Sequence, residues 1–451
     1  MFKKNIPSEV VYVIKKLKNC GYEAYLVGGS ILNIMLNINP KDWDITTSAK
    51  PEEVMSLFPK VIPSGLNYGT VTVVEGKIPI EVTTYRAESR YIGHHPQIVK
   101  FGVSLEEDLK RRDFTVNAIA YDPVNDKLVA NSKVISDLSE GILPIETVGI
   151  PEDRFKEDPL RMLRAFYLMV KADMADFECK LTDAVSKTIE KHHQLIAVIA
   201  KERIREELNK IILGPRPNKY LELMYRLKIL NDILPELSKT RGVEQGSFHK
   251  KDVFGHTLDV IFHVKPEISL RWTALLHDLG KVNTKTIIDN QIHFYGHAKE
   301  STLIGNTILS RLKFSKKLKD KILLLVKNHM FQIPQTKQTT RHFITKIGKD
   351  NILDLLELRR ADIIASRFTD TSKIEEFKKL VTSILMEKPP FTIKDLKVNG
   401  YDVMKTLDIK PGKQVGKVLK YLFELVLNDP QLNEREKLLS YLKSMDITKL
   451  K

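Results

Sequence analysis

Two aspartates, Asp42 and Asp44, stand two residues apart in the segment KDWDIT. On a β-strand residues i and i+2 project from the same face, so both carboxylates would point into one space. Like charges placed this way repel unless a cation lies between them. Oxygen-only donors at that spacing suit Mg²⁺, which keeps water and phosphate oxygens as further ligands. Taken alone, the pair also describes two solvated acids at a strand end. Two neighbours sharpen the reading. Gly28 and Gly29 follow the apolar run AYLV and precede a helical run from Ser30. Such a turn offers backbone N–H groups to a phosphate, and equally serves as an ordinary strand-to-helix connection. Glu81 lies in a later strand-like segment, IPIEVTTYR. Aligned beside the aspartates it would complete a two-metal phosphoryl-transfer site; on an edge strand it would face solvent.

Asp158 and Arg161 in EDPLRMLRA are three residues apart, a spacing that places both on one helix face. Aspartate only accepts hydrogen bonds and arginine only donates them. Cytosine and adenine each present an exocyclic amine beside a ring-nitrogen acceptor, so the pair complements both. Guanine and uracil would set a carbonyl against the carboxylate. An isolated pair at this spacing is otherwise a surface ion pair. Eight of the 12 histidines (His249, His256, His263, His277, His293, His297, His329 and His342) cluster in one stretch. There LRWTALLHDLGK sets His277 and Asp278 side by side on an apolar helix, where they need polar partners or a metal. His192–His193 and His94–His95 have no such context and are expected at the surface.

The elements that must position these residues are of two kinds. YGTVTVVEGKIPIEVTTYR gives two strands around a turn at Glu75–Gly76, and β-branched segments concentrate in the first part of the chain. From about residue 153 the apolar periodicity becomes helical and stays so. GPRP (214–217), EKPP (387–390) and KPGK (410–413) mark joints. A chain of 451 residues is too long for one core. The excess of 72 Lys+Arg over 57 Asp+Glu, net +15, suits a polyanionic partner. No apolar run is long enough to span a membrane or to form a signal-peptide core, and Cys20 and Cys179 make no disulfide or metal framework. A cytoplasmic protein is expected.

In order along the chain, LVGG, KDWDITTSAKPEEV, EVTTYR, RRDFTVNAIAYD and EDPLRMLRA resemble the head and neck of the class II tRNA nucleotidyltransferases. That family holds the CCA-adding enzymes and bacterial poly(A) polymerases. ERIREEL, DLKVNGYDVM and PGKQVGKVL extend the likeness over nearly the whole chain. The resemblance implies an α+β protein: a nucleotidyltransferase head with a small mixed or antiparallel sheet (1–140), an all-α neck that recognises the base (141–240), an HD domain (241–370) and a helical tRNA-binding tail (371–451). It implies addition of CMP and AMP from CTP and ATP to the tRNA 3′ end, without a nucleic-acid template. Asp42 and Asp44 would bind Mg²⁺ with Glu81 beside them. Gly28 and Gly29 form the nucleotide turn, with Gly29 at the family's nucleotide-contacting glycine. Arg112 and Arg164 would contact nucleotide, and Arg111 and Asp113 belong to the same motif as Arg112. Asp158 and Arg161 would read the base.

Three features depart from the family. Leu32 and Asn33 replace the Arg and Asp that usually follow the glycines, Tyr167 replaces a second arginine, and ANSKV (130–134) replaces a DPYGG-like turn. Triphosphate binding then shifts toward Lys41, Arg112 and Arg164, or nucleotide affinity falls. His256, His277, Asp278 and Asp362 resemble the metal set of the HD phosphohydrolases, with His297 and His329 as the extra ligands of two-metal members. Such a donor set suits Mn²⁺, Fe²⁺, Ni²⁺ or Zn²⁺, a second divalent metal beside the head's Mg²⁺; a degenerate fold with structural histidines is the alternative. An A-adding enzyme or poly(A) polymerase, and an RNA-binding HD phosphohydrolase with a decayed polymerase head, are the rival functions.

Overall fold

The computed structural model describes residues 5–92, 95–246, 250–367, 369–387 and 389–445. The chain forms two compact units, Met1–Ser238 with Arg311–Lys313, and Lys239–Ser310 with Phe314–Lys451.

The first unit is built on strands β1 (Ala24–Val27), β2 (Trp43–Thr47), β3 (Val61–Gly65), β4 (Thr70–Glu75), β5 (Ile78–Thr84), β6 (Arg86–Ile92), β7 (His95–Phe101), β8 (Ala120–Asp122) and β9 (Lys127–Val129). Seven of them make one sheet in the order β3-β4-β5-β2-β1-β8-β9, and β6 with β7 makes a separate hairpin. Only β2 and β5 run parallel within the large sheet, so it is mixed, as expected. The β4–β5 hairpin turns at Gly76, whose φ of +59° is left-handed.

Register decides where the chemistry falls. Val27 lies opposite Asp44 in the β1–β2 ladder, so the chain leaves the sheet into the Gly28–Gly29 turn beside that carboxylate. Asp44 lies opposite Glu81 in the parallel β2–β5 ladder. Along β2 the period of two sets Trp43, Ile45 and Thr47 on one face and Asp44 and Thr46 on the other, and all but the half-buried Asp44 are buried. Helix α1 (Ser8–Asn19) buries Val10, Val13, Ile14 and Leu17, one i, i+3, i+4, i+7 stripe, and packs on β1, β2 and β4. Helix α2 (Gly29–Met35) starts directly from the glycine turn.

Helix α3 (Leu105–Lys110) starts at Ser104. The Ser104 hydroxyl accepts the Glu107 N–H at 3.3 Å, and the Glu107 carboxylate accepts the Ser104 N–H at 3.0 Å. This capping box sets Asp108 in a fully buried position. There its carboxylate accepts from the Thr46 hydroxyl (3.1 Å), the Arg86 N–H (3.3 Å), Arg111 Nε (2.9 Å) and an Arg112 terminal nitrogen (3.4 Å).

Helices α4 (Pro151–Glu157), α5 (Arg161–Met174) and α6 (Lys201–Ile212) follow. The joint at 214–217 holds: α6 ends before it and the next helix opens with Pro217 in its first turn. Strands β10 (Ile142–Ile145) and β11 (Glu178–Leu181) pair in parallel, and β12 (Thr286–Ile288) pairs with β13 (Gln291–His293) in the second unit. These last three strands interrupt the helical run expected after residue 153. In β12–β13 the cause is local: Asp289 and Asn290 adopt φ of +49° and +58°, and a two-residue turn of that hand matches strand twist.

The second unit is otherwise helical. Helices α7 (Val253–His263), α8 (Ile268–Leu276), α9 (His297–Arg311), α10 (Lys316–Asn328) and α11 (Ile352–Ala365) surround a histidine cluster. Helix α7 packs on α8 and α11, and α8 on α10. A later core gathers Val403, Val418, Leu422, Val426 and Leu442. Among the described residues no helix is long and apolar enough to cross a membrane.

Asp108 generates a stability prediction. Asp108→Ala strands two arginines and should lower the unfolding free energy by about 3 kcal/mol. Asp108→Asn, which keeps an acceptor oxygen, should cost less. Urea denaturation measures both, and a loss near zero for the alanine variant would refute the role.

Candidate active site

Gly28, Gly29, Asp42, Asp44, Arg112, Asp158, Arg161 and Arg164 all line one cavity of about 930 Å³ in the first unit. The glycine turn approaches the carboxylate closely. Gly28 has φ +73°, and a Cβ there would sit 3.1 Å from Asp44 Oδ2 and 3.4 Å from an Arg112 terminal nitrogen. No side chain fits this position without moving Asp44 or Arg112. Glu81 is exposed at its strand position beside Asp44 and is not among the residues lining the cavity.

The carboxylates repel one another. The Asp44 carboxyl is pushed up to about 6, first by burial and then by Glu81 and Asp42, against the opposing pull of Arg112 and Lys171. A carboxylate crowded by two others on a strand end is what a divalent cation would relieve, so the donor set fits a hard metal ion.

Asp158 and Arg161 enter the cavity by a different route from the one expected. Asp158 is not helical: it closes α4 with φ −145°, and Pro159 and Leu160 separate it from α5, which opens at Arg161. A residue before proline is driven away from the helical region, and that breaks the single face the spacing implied. The two side chains are not paired with each other. Asp158 accepts the Leu160 N–H (3.1 Å) and an Arg203 nitrogen (3.0 Å), one on each oxygen. Arg161 donates to the Glu157 carboxylate (2.5 Å) and the Arg154 carbonyl (3.1 Å). Arg164 pairs with Asp113 at 2.9 Å, and Asp113 also accepts from Asn117 and the Phe114 N–H. Arg111 joins Asp108 and Glu88.

Lys171 and Lys210 also line the cavity, and the sequence reading passed over both. The signal was present. Arg161, Arg164, Leu168, Lys171 and Met174 recur at three and four residues along α5 and all face the cavity. Burial pushes Lys171 down to about 8, with Arg164 and Lys210 adding to the shift.

In the second unit His256, His277, Asp278, His297 and His329 come together. His256, His277 and Asp278 form one group with metal-ligand spacing, and Asp278, His297 and His329 a second. Asp278 serves both. Its Oδ2 lies 3.2 Å from His277 Nε2 and 3.6 Å from His256 Nε2; its Oδ1 lies 3.5 and 3.7 Å from the Nε2 atoms of His297 and His329. Asp362 sits 3.0 Å from His256 Nε2. His277, His297 and His329 each hold a backbone carbonyl at 2.8 Å from Nδ1, which leaves Nε2 as the lone-pair nitrogen. Two such nitrogens, on His297 and His329, then face each other at 3.1 Å. Lone pairs that close repel unless a cation or proton lies between them, so this set fits a metal too. The remaining histidines divide. His263, His293 and His342 lie outside both groups, while His249 and His94 fall outside the described residues. His192 and His193 are not simple surface residues: they are largely buried and lie 3.3 Å from Glu152 and 2.5 Å from Asp232. Their preceding helix ends there, and both rings fold back on a carboxylate. Cys20 and Cys179 are free.

Comparison with known proteins decides the family. Residues 24–144 match the Poly A polymerase head domain, 180–240 the RNA and SrmB-binding site of polymerase A, and 299–442 the tRNA nucleotidyltransferase domain 2. A CCA-adding enzyme of Streptococcus suis is 31% identical over 455 residues, covering 98% of each chain. One of Bacillus cereus is 31% identical over 444 residues, covering 96% of this chain and 98% of its own. This chain belongs to the CCA-adding enzyme family. The crystal structure of the Bacillus stearothermophilus CCA-adding enzyme in complex with CTP aligns with TM-score 0.72, 27% identity and 96% coverage of both chains. The Thermotoga maritima CCA-adding enzyme complexed with tRNA shares the fold at TM-score 0.56 and 18% identity, covering 97% of this chain and 96% of its own.

Within the CCA-adding enzyme framework the departures have distinct places. Leu32 is fully buried in the core of α2 and does not reach the cavity. Asn33 and Tyr167 do line it, and Asn33 Oδ1 is a buried acceptor without a hydrogen-bond partner among the described residues.

The raised Asp44 carboxyl gives a pH prediction. Below pH about 6 a divalent ion must displace a proton from Asp44. Affinity should therefore fall about tenfold per pH unit there and level off above it. Mn²⁺ titration of the His277→Ala variant, which removes the histidine site, between pH 5 and 8 checks this; a flat affinity would remove Asp44 from the ligand set.

Proposed function

We propose that this chain adds CMP and AMP, from CTP and ATP, to the 3′ end of tRNA, as a cytoplasmic enzyme whose protein pocket takes the place of a template. The supporting observation is that one cavity holds the strand-end carboxylates, the glycine turn and the Asp158–Arg161 pair together. Asp42 and Asp44 would hold Mg²⁺, with Glu81 adding negative charge from the neighbouring strand. When bound, the metal supplies Lewis acidity for the 3′-hydroxyl and neutralises charge on the triphosphate. Arg112 is held near Asp44 by Asp108 and meets the phosphates without rearranging. The Asp158 carboxylate, with acceptor capacity beyond its two existing bonds, takes the exocyclic amine of cytosine or adenine. Arg161, locked by Glu157 and Arg154, donates to the ring nitrogen. Residues 1–140 act as catalytic head, 141–240 as neck, 241–370 as HD domain and 371–451 as the tRNA-binding tail. The net charge of +15 supports RNA binding through phosphates.

The test is single-nucleotide incorporation with Mg²⁺ on tRNA ending in the discriminator base, in CC and in CCA. CTP and ATP should each extend only their proper end. Addition of AMP alone would identify an A-adding enzyme, and repeated AMP addition a poly(A) polymerase. Asp42→Ala should abolish both incorporations while leaving tRNA binding within about twofold, since phosphate contacts elsewhere carry that affinity. Normal turnover in that variant would overturn the assignment.

A second activity rests on the facing His297 and His329 nitrogens. His256, His277, Asp278 and Asp362, with His297 and His329, would bind divalent transition metal, which acidifies a bound water for phosphoester hydrolysis. A 2′,3′-cyclic phosphate at a damaged RNA end is the proposed substrate class. His277→Ala should lose bound metal and phosphodiesterase activity while keeping nucleotide addition. Absence of metal by elemental analysis, with no cleavage under Mg²⁺, Mn²⁺, Ni²⁺ or Co²⁺, would make the histidines structural.

A further inference from the structure

The cations around the cavity are nearly all spoken for. Arg112 lies near Asp108, Arg161 near Glu157, Arg164 near Asp113, Arg203 near Asp158 and Lys210 near Glu207, each within ion-pair distance. Lys171 differs. It is 8% exposed, lines the same cavity, and forms no ion pair or hydrogen bond with any described residue. Its ammonium lies 5.5 Å from the Tyr167 ring centroid, a weak neutral partner shared with Lys210 at the same distance. The same ammonium lies 3.8 Å from where a Gly29 Cβ would stand. Asp113 and Asp44 act on it only at longer range. Burying an ammonium without a direct ion pair is costly, and a fold keeps one where an anion arrives to complete it.

We propose that Lys171 binds the triphosphate of the incoming nucleotide, its ammonium lying over the Gly28–Gly29 turn beside Asp44. This rests on the reading of the cavity as the nucleotidyl-transfer site. The metal carboxylates face the same space, so the anion Lys171 receives is the one that arrives with its own dication, a nucleoside triphosphate. A Cβ at Gly29 would stand in ordinary van der Waals contact with the amine, which places the ammonium directly over the turn. Lys171 stands one turn beyond Tyr167 on the same helix, and both line the cavity. The other phosphate source is the backbone of the tRNA primer, and the experiment separates the two.

Full-length wild-type protein, Lys171→Met and Lys171→Arg are compared in three measurements: CTP binding by calorimetry with Mg²⁺, KM for CTP, ATP and tRNA, and inhibition by pyrophosphate. Loss of one charge-assisted contact should weaken CTP binding, raise both nucleotide KM values and weaken pyrophosphate inhibition, each about 10- to 100-fold, for Lys171→Met. The tRNA KM should stay within about twofold, and Lys171→Arg should recover most of the loss. The melting temperature of free Lys171→Met should equal or exceed that of wild type, because a buried unpaired charge is gone. A lower melting temperature with unchanged CTP binding would make the lysine structural and overturn the proposal. So would a raised tRNA KM with unchanged nucleotide KM, which would move the contact to the RNA. Failure of the wild type itself to bind CTP would instead refute the reading of the cavity.

Discussion

A carboxylate without access to water must have its counter-charges in place before the surrounding structure can close, and Asp108 is in that position. It receives a hydroxyl from β2, a backbone N–H from the start of β6 and guanidinium groups from Arg111 and Arg112. Removing either side of such an arrangement costs more than an exposed pair would return. Asp108 therefore ties together the sheet, the hairpin that follows it and the arginines of α3's C-terminal end. Asp108 holds Arg112, and both the Arg112 guanidinium and the Asp44 carboxylate crowd the Gly28 backbone, which fits there because it has no side chain.

The two candidate sites use carboxylates in opposite ways. In the head, Asp44 stands among like charges, and its carboxyl is raised. In the second unit burial opposes ionisation of Asp278, yet His277 and Lys281 outweigh it, and the carboxyl is held well below the usual range. Lys281 Nζ is 2.6 Å from Asp278 Oδ2 and 2.6 Å from Gln245 Oε1. The first arrangement suits a metal bound loosely together with substrate phosphates; the second suits a metal held by the protein alone.

Period-two and period-3.6 patterns carried much of this architecture into the sequence. Asp44 and Glu81 could be placed on strands because apolar and β-branched neighbours surround them, while Asp42 falls one residue before β2. The motifs that carry the family resemblance marked Arg112 and Arg164. Where the reading went astray, a local backbone term or a distant contact decided. Pro159 broke the helix assumed for Asp158 and Arg161. Asp289 and Asn290 turned a hairpin inside a helical stretch. Asp108 looks like one more acid in the run LEEDLK until Thr46 and Arg86 are brought to it by the sheet. Lys171 resembles a surface lysine until α5 packs its face toward the cavity. In both cases the information lies in pairings between segments far apart in the chain, which no local window contains.

The parallel pairing of β2 with β5 has a consequence for how the head comes into being. Parallel neighbours cannot be joined by a tight turn, so the chain builds β3 and β4 before β5 returns to lie against β2. Asp44 and Glu81 become neighbours only at that return, and Asp108 then seals Arg112 beside them. Such contacts carry a loop-closure cost that local ones avoid, which places them late in the order of assembly. The setting of Asp44 thus belongs to the finished sheet, and an emerging chain on the ribosome would complete it only after the segment through β9 had left the exit tunnel.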